Sequence, residues 1–329
     1  MMDGFEKRCE GLAIAFCQGP DKIKFYSYLE DQTYKSMEAQ LKLDGHAGYL
    51  RLEKSGEYAS QYMNRIEKEL FSRAGVTVKM VDQQMRALPM KLSEVWSGPA
   101  AEKKLIQDSV AGASILSLGQ VLSKLWNSDQ ELKFKKYYTN VYVGKCNKQD
   151  GAYGFEYNAF KIDNHNMFTK QKIFSELAGE VLVYCPGVIL GSLQNSKGPE
   201  QFIDGLAFVL GHELTHIVDI SKQPALYEKW SRCIKKSFTF PEHEKALSYK
   251  ELSSDIGGIN LLMARLKNLP PEEAYRALRR VLAPWLCLNP SSTSFSRKRL
   301  EIIGRDPQVI EALGCRDQAV PLCSIYPTN

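Results

Sequence analysis

Residues 212–219 read HELTHIVD, two histidines four apart with a glutamate beside the first and an aspartate three past the second. On an α-helix, side chains four apart lie on one face a turn apart, so His212 and His216 can present imidazole nitrogens to a single zinc ion. Glu213 is rotated by about 100 degrees from His212 and can act on a metal-bound water without itself ligating. A catalytic zinc takes three protein ligands plus a water, so a third ligand is required. The stretch KELSSDIGG at 250–258 offers Glu251, with Asp255 on the same helical face. Metal-bound imidazoles donate their other N–H to a carboxylate, and Asp219 and Asp255 stand at suitable spacings for that role. Taken alone, the histidine motif already favours a metal site over an ordinary helix surface, whereas Glu251 alone would be read as a solvated surface charge. Their conjunction points to one Zn²⁺ per chain.

The elements that must carry these residues follow from periodicity. YLEDQTYKSMEAQLKL, YASQYMNRIEKELFSRAG and EKKLIQDSVAGASILSLGQVLSKLW have apolar residues at three- and four-residue intervals, which predicts a helical first 130 residues or so. After SDQELKFKK the pattern changes. YYTNVYVG, GFEYNAF and EVLVY are short and rich in aromatic and β-branched residues, which predicts strands. From about Pro199 the chain reads as helix again, in EQFIDGLAFVLGHELTHIVDI, ALYEKWSRCIKK, ALSYKELSSDIGGINLLMARLK and PEEAYRALRRVLAPW. The expected fold class is α+β, mainly helical. A helical segment over 1–135 precedes a catalytic domain over 136–329 with a small sheet and the HExxH helix.

With 329 residues, 44% of them hydrophobic, the chain can bury a substantial core. The formal charge of +5 is spread out, and the short basic clusters Lys133–Lys136 and Arg297–Arg299 read as solvated faces, so no nucleic-acid partner is expected. No apolar run approaches the roughly 20 residues that span a bilayer, so no membrane span is expected in this chain. The eight cysteines permit a disulfide framework without establishing one.

The motifs together resemble the neprilysin family of zinc endopeptidases, which includes the endothelin-converting enzymes and whose pattern is HExxH with a following Asp and then ExxxDxGG. The resemblance implies a zincin-like catalytic domain, zinc ligands His212, His216 and Glu251, catalytic Glu213, and Asp219 and Asp255 behind the histidines. YNAFKI looks like the family's Asn-Ala-aromatic strand, which implies that Asn158 and Ala159 align the peptide substrate; Phe208 and Val209, one turn before His212, are expected to shape an apolar pocket. APWLC, EIIG, ALGC and LCSIY follow the order of the family's closing landmarks, and CEGLAIAFC resembles its opening. The family's pairing would join Cys9 to Cys315, Cys17 to Cys287 and Cys233 to Cys323, which implies a secreted, extracellular protein. Cys146 and Cys185 remain, either as a fourth bridge or as buried thiols.

The sequence departs from the family in three respects. It is about half the usual length, with the deficit in the N-terminal helical domain, which is reduced to a small cap; a more open cleft that admits long peptides is the expected consequence. The connection between His216 and Glu251 is short. Counting back from Ile303-Gly304, Phe295 stands where the family has a transition-state histidine and Glu301 where it has a substrate-binding arginine; neighbouring Arg297 and Arg299 would compensate only if the register slips, and neither is assigned. The expected function is a zinc endopeptidase acting on peptides or flexible protein segments, with Glu213 as the base; the alternative is a catalytically impaired homologue that binds peptides or a protein partner.

Overall fold

The computed structural model describes residues 57–96, 99–146, 159–162, 180–194, 196–238, 245–286 and 293–314. The expected helix at 28–43, Asn158 and the expected bridges of Cys9 and Cys17 lie outside them. In chain order the elements are α1 (Glu57–Arg73), α2 (Val78–Val95), α3 (Ala100–Val110), β1 (Ser114–Ser117), α4 (Leu118–Asn127), α5 (Leu132–Lys145), β2 (Ala159–Lys161) and β3 (Val181–Tyr184). They continue with α6 (Pro186–Gln194), α7 (Pro199–Thr215), a 3₁₀ turn (Pro224–Tyr227), α8 (Glu228–Ser237), α9 (Lys245–Leu266), α10 (Pro271–Leu286), α11 (Thr293–Gly304) and α12 (Pro307–Ala312). The protein is mainly helical with one small sheet. Among the described residues no helix is long and apolar enough to cross a membrane.

Two compact units group these elements. One comprises Gly112–Leu206 with the described residues up to Ala87; the other comprises Leu88–Ala111 with the described residues from Ala207 on. In the first, the sheet runs β1-β3-β2, with β1 parallel and β2 antiparallel to β3. The central strand, VLVY, is buried along its whole length, as a continuous apolar run requires when neighbours cover both faces. α1 lies against α4 through Asn64 and Ser60, which both bond the Ser123 hydroxyl. A disulfide joins Cys146, at the end of α5, to Cys185, just before α6, which decides the open alternative in favour of a bridge.

Two sequence expectations are overturned in this unit. YYTNVYVG is not a strand but the body of α5. Its aromatics recur every four residues, and Phe134, Tyr138 and Tyr142 stack in series along the helix with ring centroids 4.4 and 5.8 Å apart. Helical spacing of the rings outweighs their β propensity. Conversely, ASILS, expected inside one long helix, contains strand β1. Gly112, at φ 74°, turns the chain where a side chain would be strained, and Ser117 starts α4 afresh through a reciprocal capping box with Gln120.

Glu67 of α1 closes the same cap from across the core. Its carboxylate accepts the Ser117 hydroxyl at 2.5 Å and the Gly119 N–H at 2.9 Å. Burial pushes its pKa up to about 7, with the Asp82 charge adding to the rise and the two hydrogen bonds opposing it. The folded state therefore prefers protonated Glu67, relative to an unfolded chain in which the group titrates near 4.5. That contribution is fully present below pH 4.5 and is lost as pH rises through 7. Stability attributable to this residue should fall by on the order of 3 kcal/mol between pH 4.5 and pH 8. Glu67→Gln should flatten that part of the profile, as measured by denaturant unfolding of parent and variant at pH 5 and pH 8; equal slopes in the two proteins would refute the assignment.

In the second unit the organising contact is between the C-terminal half of α7 and α9, at positions without side chains. A Cβ on Gly211 would meet Leu261 at 2.6 Å, one on Gly258 would meet the Phe208 carbonyl at 2.7 Å, and one on Gly257 would overlap the Thr215 hydroxyl. The backbones therefore approach more closely than alanine permits, and side chains projecting from one helix reach groups on the other. Trp96, Tyr227 and Trp230 pack edge to face in the same unit, with centroids 6.0 Å apart in each pair.

Candidate metal centre

His212 is carried on the last turn of α7, and the regular helix stops at Thr215. The ending is a tightening of the helix. The N–H of His216 is shared between the carbonyls of His212 and Glu213, and Ile217 and Val218 then bond three residues back. His216 therefore keeps its place one turn above His212. Asp219 next closes a turn, taking the Ser221 N–H and hydroxyl on Oδ1, which leaves Oδ2 facing His216 Nδ1 at 3.0 Å. From α9, Asp255 Oδ1 lies 2.9 Å from His212 Nδ1.

Those two contacts favour a proton on each Nδ1, which leaves the Nε2 of the neutral ring with a lone pair for a metal. The two Nε2 atoms are only 3.2 Å apart. The Glu251 carboxylate joins them, with Oε2 3.3 Å from His212 Nε2 and Oε1 3.6 Å from His216 Nε2. With one atom taken from each residue, the set lies within 4.8 Å. Three groups with lone pairs converge, an arrangement that calls for a cation among them, either a metal ion or, without one, a proton on Nε2. Metal–ligand bonds of about 2.0–2.2 Å in a tetrahedron give ligand separations of about 3.3–3.6 Å, so His212, His216 and Glu251 fit a metal ion.

The surrounding electrostatics express the same demand for positive charge. Burial works against a charged His212, yet its hydrogen bonds to Asp255 and Glu251 and the nearby Glu213 charge outweigh this and raise its pKa to about 9. Burial likewise opposes ionisation of Asp255, and Arg299 overrides it, holding the carboxyl down at about 2. Glu251 is also held below its ordinary value, against its own desolvation, by His212, His216 and Arg299. Glu213 goes the other way. It is half-buried, and withdrawal from water raises its pKa despite the two histidines. A carboxyl raised in this way is suited to taking up and returning a proton.

Arg299 was not assigned from sequence, where the Arg297–Arg299 cluster reads as a solvated face. That reading fails for Arg299, which is 8% exposed and grips Asp255 with two parallel bonds, Nε to Oδ2 and Nη2 to Oδ1, both 2.7 Å. Glu301, the position expected to correspond to a substrate-binding arginine, pairs instead with Arg305, just past the end of α11, at 3.4 Å. Among the described residues, the guanidinium that meets the centre comes from two positions earlier on α11, on the opposite side of Leu300. Phe295 lies in the first turn of α11.

The remaining expected residues fall as follows. Ala159 begins β2, opposite Tyr184, at the edge of the sheet. Phe208 and Val209 are wholly buried, and the Phe208 ring and carbonyl abut Gly258. Cys233 on α8 is disulfide-bonded, with its partner outside the described residues. Sequence reasoning also passed over Ser254, 2.8 Å from His216 Nδ1 through its hydroxyl. Its position between Glu251 and Asp255, on the face they share, was the available signal.

The chain matches no protein-family model, and no curated protein or solved structure is recognisably similar to it.

Proposed function

We propose that the chain is a zinc-dependent endopeptidase, a short and divergent relative of the neprilysin family with a zincin-like catalytic unit, hydrolysing peptide bonds in peptides or flexible protein segments. The observation that carries this reading is the convergence of His212 Nε2, His216 Nε2 and the Glu251 carboxylate at separations that suit one metal ion. A zinc ion held there supplies a Lewis acid that polarises a carbonyl and brings the pKa of a bound water toward neutrality. Glu213 takes the proton of the attacking water on its carboxylate and returns it to the leaving amine. Asp255 and Asp219 keep the Nδ1 protons in place throughout, and Arg299 keeps Asp255 ionised. The Cys146–Cys185 bridge and the bonded Cys233 support an oxidising, extracellular setting.

The second reading, a metal-loaded homologue that binds peptides without cutting them, is favoured by Phe295 and Glu301, neither of which can act as the family's histidine or arginine. Metal analysis run beside cleavage of a mixed peptide library decides between them. The expected result is about one zinc per chain with cleavage that a chelator abolishes and added zinc restores. A metal-loaded protein that cuts nothing favours the second reading, and a protein that takes up no metal overturns both.

A further inference from the structure

Three consecutive polar residues, Ser253, Ser254 and Asp255, are buried to 1% exposure or less on α9. Buried polar groups need partners, and each of these finds one on the HExxH segment or the turn that follows it. Asp255 takes His212 Nδ1. Ser253 bonds the Lys250 carbonyl and receives the Ile220 N–H. Ser254 turns its hydroxyl to His216 Nδ1, at 2.8 Å. A serine inside a helix commonly bonds back to its own backbone. This one reaches across to another segment instead.

We infer that Ser254 is a positioning residue of the metal centre, sharing with Asp219 the single Nδ1 hydrogen of His216 and so fixing the direction of the His216 Nε2 lone pair. The inference rests on the metal-centre reading given above. At 100° per residue, Ser254, Glu251 and Asp255 occupy an arc of about 100° on α9, so one helix face supplies a ligand and a support for each histidine. Asp219 alone leaves the imidazole free to swing about its single bond to the carboxylate. It sits three residues from His216 on the same segment, so its bond relates the ring only to that segment's own backbone. The Ser254 hydroxyl approaches the same nitrogen from a different helix. Two acceptors on separate elements define the ring plane where one does not. The Nδ1–H donates to both, in a three-centre bond, because Asp219 Oδ2 at 3.0 Å would repel an unprotonated Nδ1. The tautomer in which the Ser254 hydroxyl donates to Nδ1, which would put a hydrogen on Nε2 and block the metal, is thereby disfavoured.

The test is zinc affinity, measured by competition with a chromophoric chelator on the full chain, for the parent, Ser254→Ala, Asp219→Asn and the double variant. Partners behind metal ligands are worth about 10- to 100-fold in affinity. Ser254→Ala should bind zinc about 10-fold more weakly, and the loss should be larger in the Asp219→Asn background, where the hydroxyl is the stronger remaining acceptor. Thermal unfolding of the metal-free parent and Ser254→Ala should coincide within a few degrees, since alanine keeps the Cβ, favours the helix, and leaves Asp219 to accept the His216 Nδ1–H. Unchanged affinity in Ser254→Ala overturns the inference. So does an equal loss in both backgrounds, which is the signature of packing alone. A parent that binds no zinc overturns this inference together with the proposed function, whereas a parent that binds zinc without cutting peptides removes only the hydrolytic reading.

Discussion

Glu213→Gln is expected to bind zinc as tightly as the parent while hydrolysing peptides about 10²- to 10⁴-fold more slowly, the usual contribution of a positioned acid–base group. The substitution keeps the shape of the side chain and removes only the capacity to take a proton. Glu213 lies a third of a turn from His212 and is not one of the three converging residues, so the ligand set is untouched. Its raised pKa belongs to a carboxyl that burial has made a better proton acceptor than an exposed glutamate. The loss should appear in kcat with KM held, because the interaction is made in the transition state and not in substrate binding. A variant that cuts peptides at the parent's rate would show that the base lies elsewhere.

Glu251→Ala should have the opposite profile and strip the metal. Zinc sites hold their ion with roughly 10 kcal/mol or more, so removing one of three protein ligands should weaken binding on the order of 10³-fold. The loss is not only one bond. Glu251 supplies the negative charge that lets two imidazole lone pairs 3.2 Å apart share a cation, and without it a doubly positive ion meets two neutral nitrogens beside a buried arginine. His216→Ala should behave alike in affinity. Equilibrium dialysis against a zinc buffer checks both, with circular dichroism confirming that the helices persist. Zinc retained at parental affinity in Glu251→Ala would exclude that residue from the site.

The cluster of His212, His216 and Glu251 was legible in the sequence because its members recur at helical spacing. A step of four from His212 to His216, and of four from Glu251 to Asp255, places each pair on one face whatever the rest of the fold does. What was not legible depends on how separate elements meet. Arg299 sits in a run of basic residues that reads as solvent-facing, and only the packing of α11 against α9 turns it inward. Ser254 looks like filler between two acids until His216 is brought opposite it. In the other unit, the aromatics of α5 carry a β-like composition on a helical spacing, and composition was followed where spacing governed. Strand β1 was hidden because ILSL gives no periodicity of its own, and its identity depends on pairing with Val181–Tyr184. The Cys146–Cys185 bridge could not be separated from two thiols by spacing, since a sequence separation of 39 says nothing of whether the two ends meet.

The close approach of α7 and α9 has a consequence for how such a centre would be found by mutation. Scanning a protein by trimming side chains to alanine reports the residues whose atoms do something, and at Gly211, Gly257 and Gly258 there is nothing to trim. These positions work by omission. A methyl at 258 would press on the Phe208 carbonyl, and because Glu251 and Asp255 ride on the same helix, the error would be delivered to the ligands as a displacement of the whole helix face. The tolerance of the centre is thus set by residues that contribute no ligand atom. In a library of variants, the blank positions of ELSSDIGG would be as intolerant as its acids, and a map of the site drawn only from its reactive groups would leave out the gauge that spaces them.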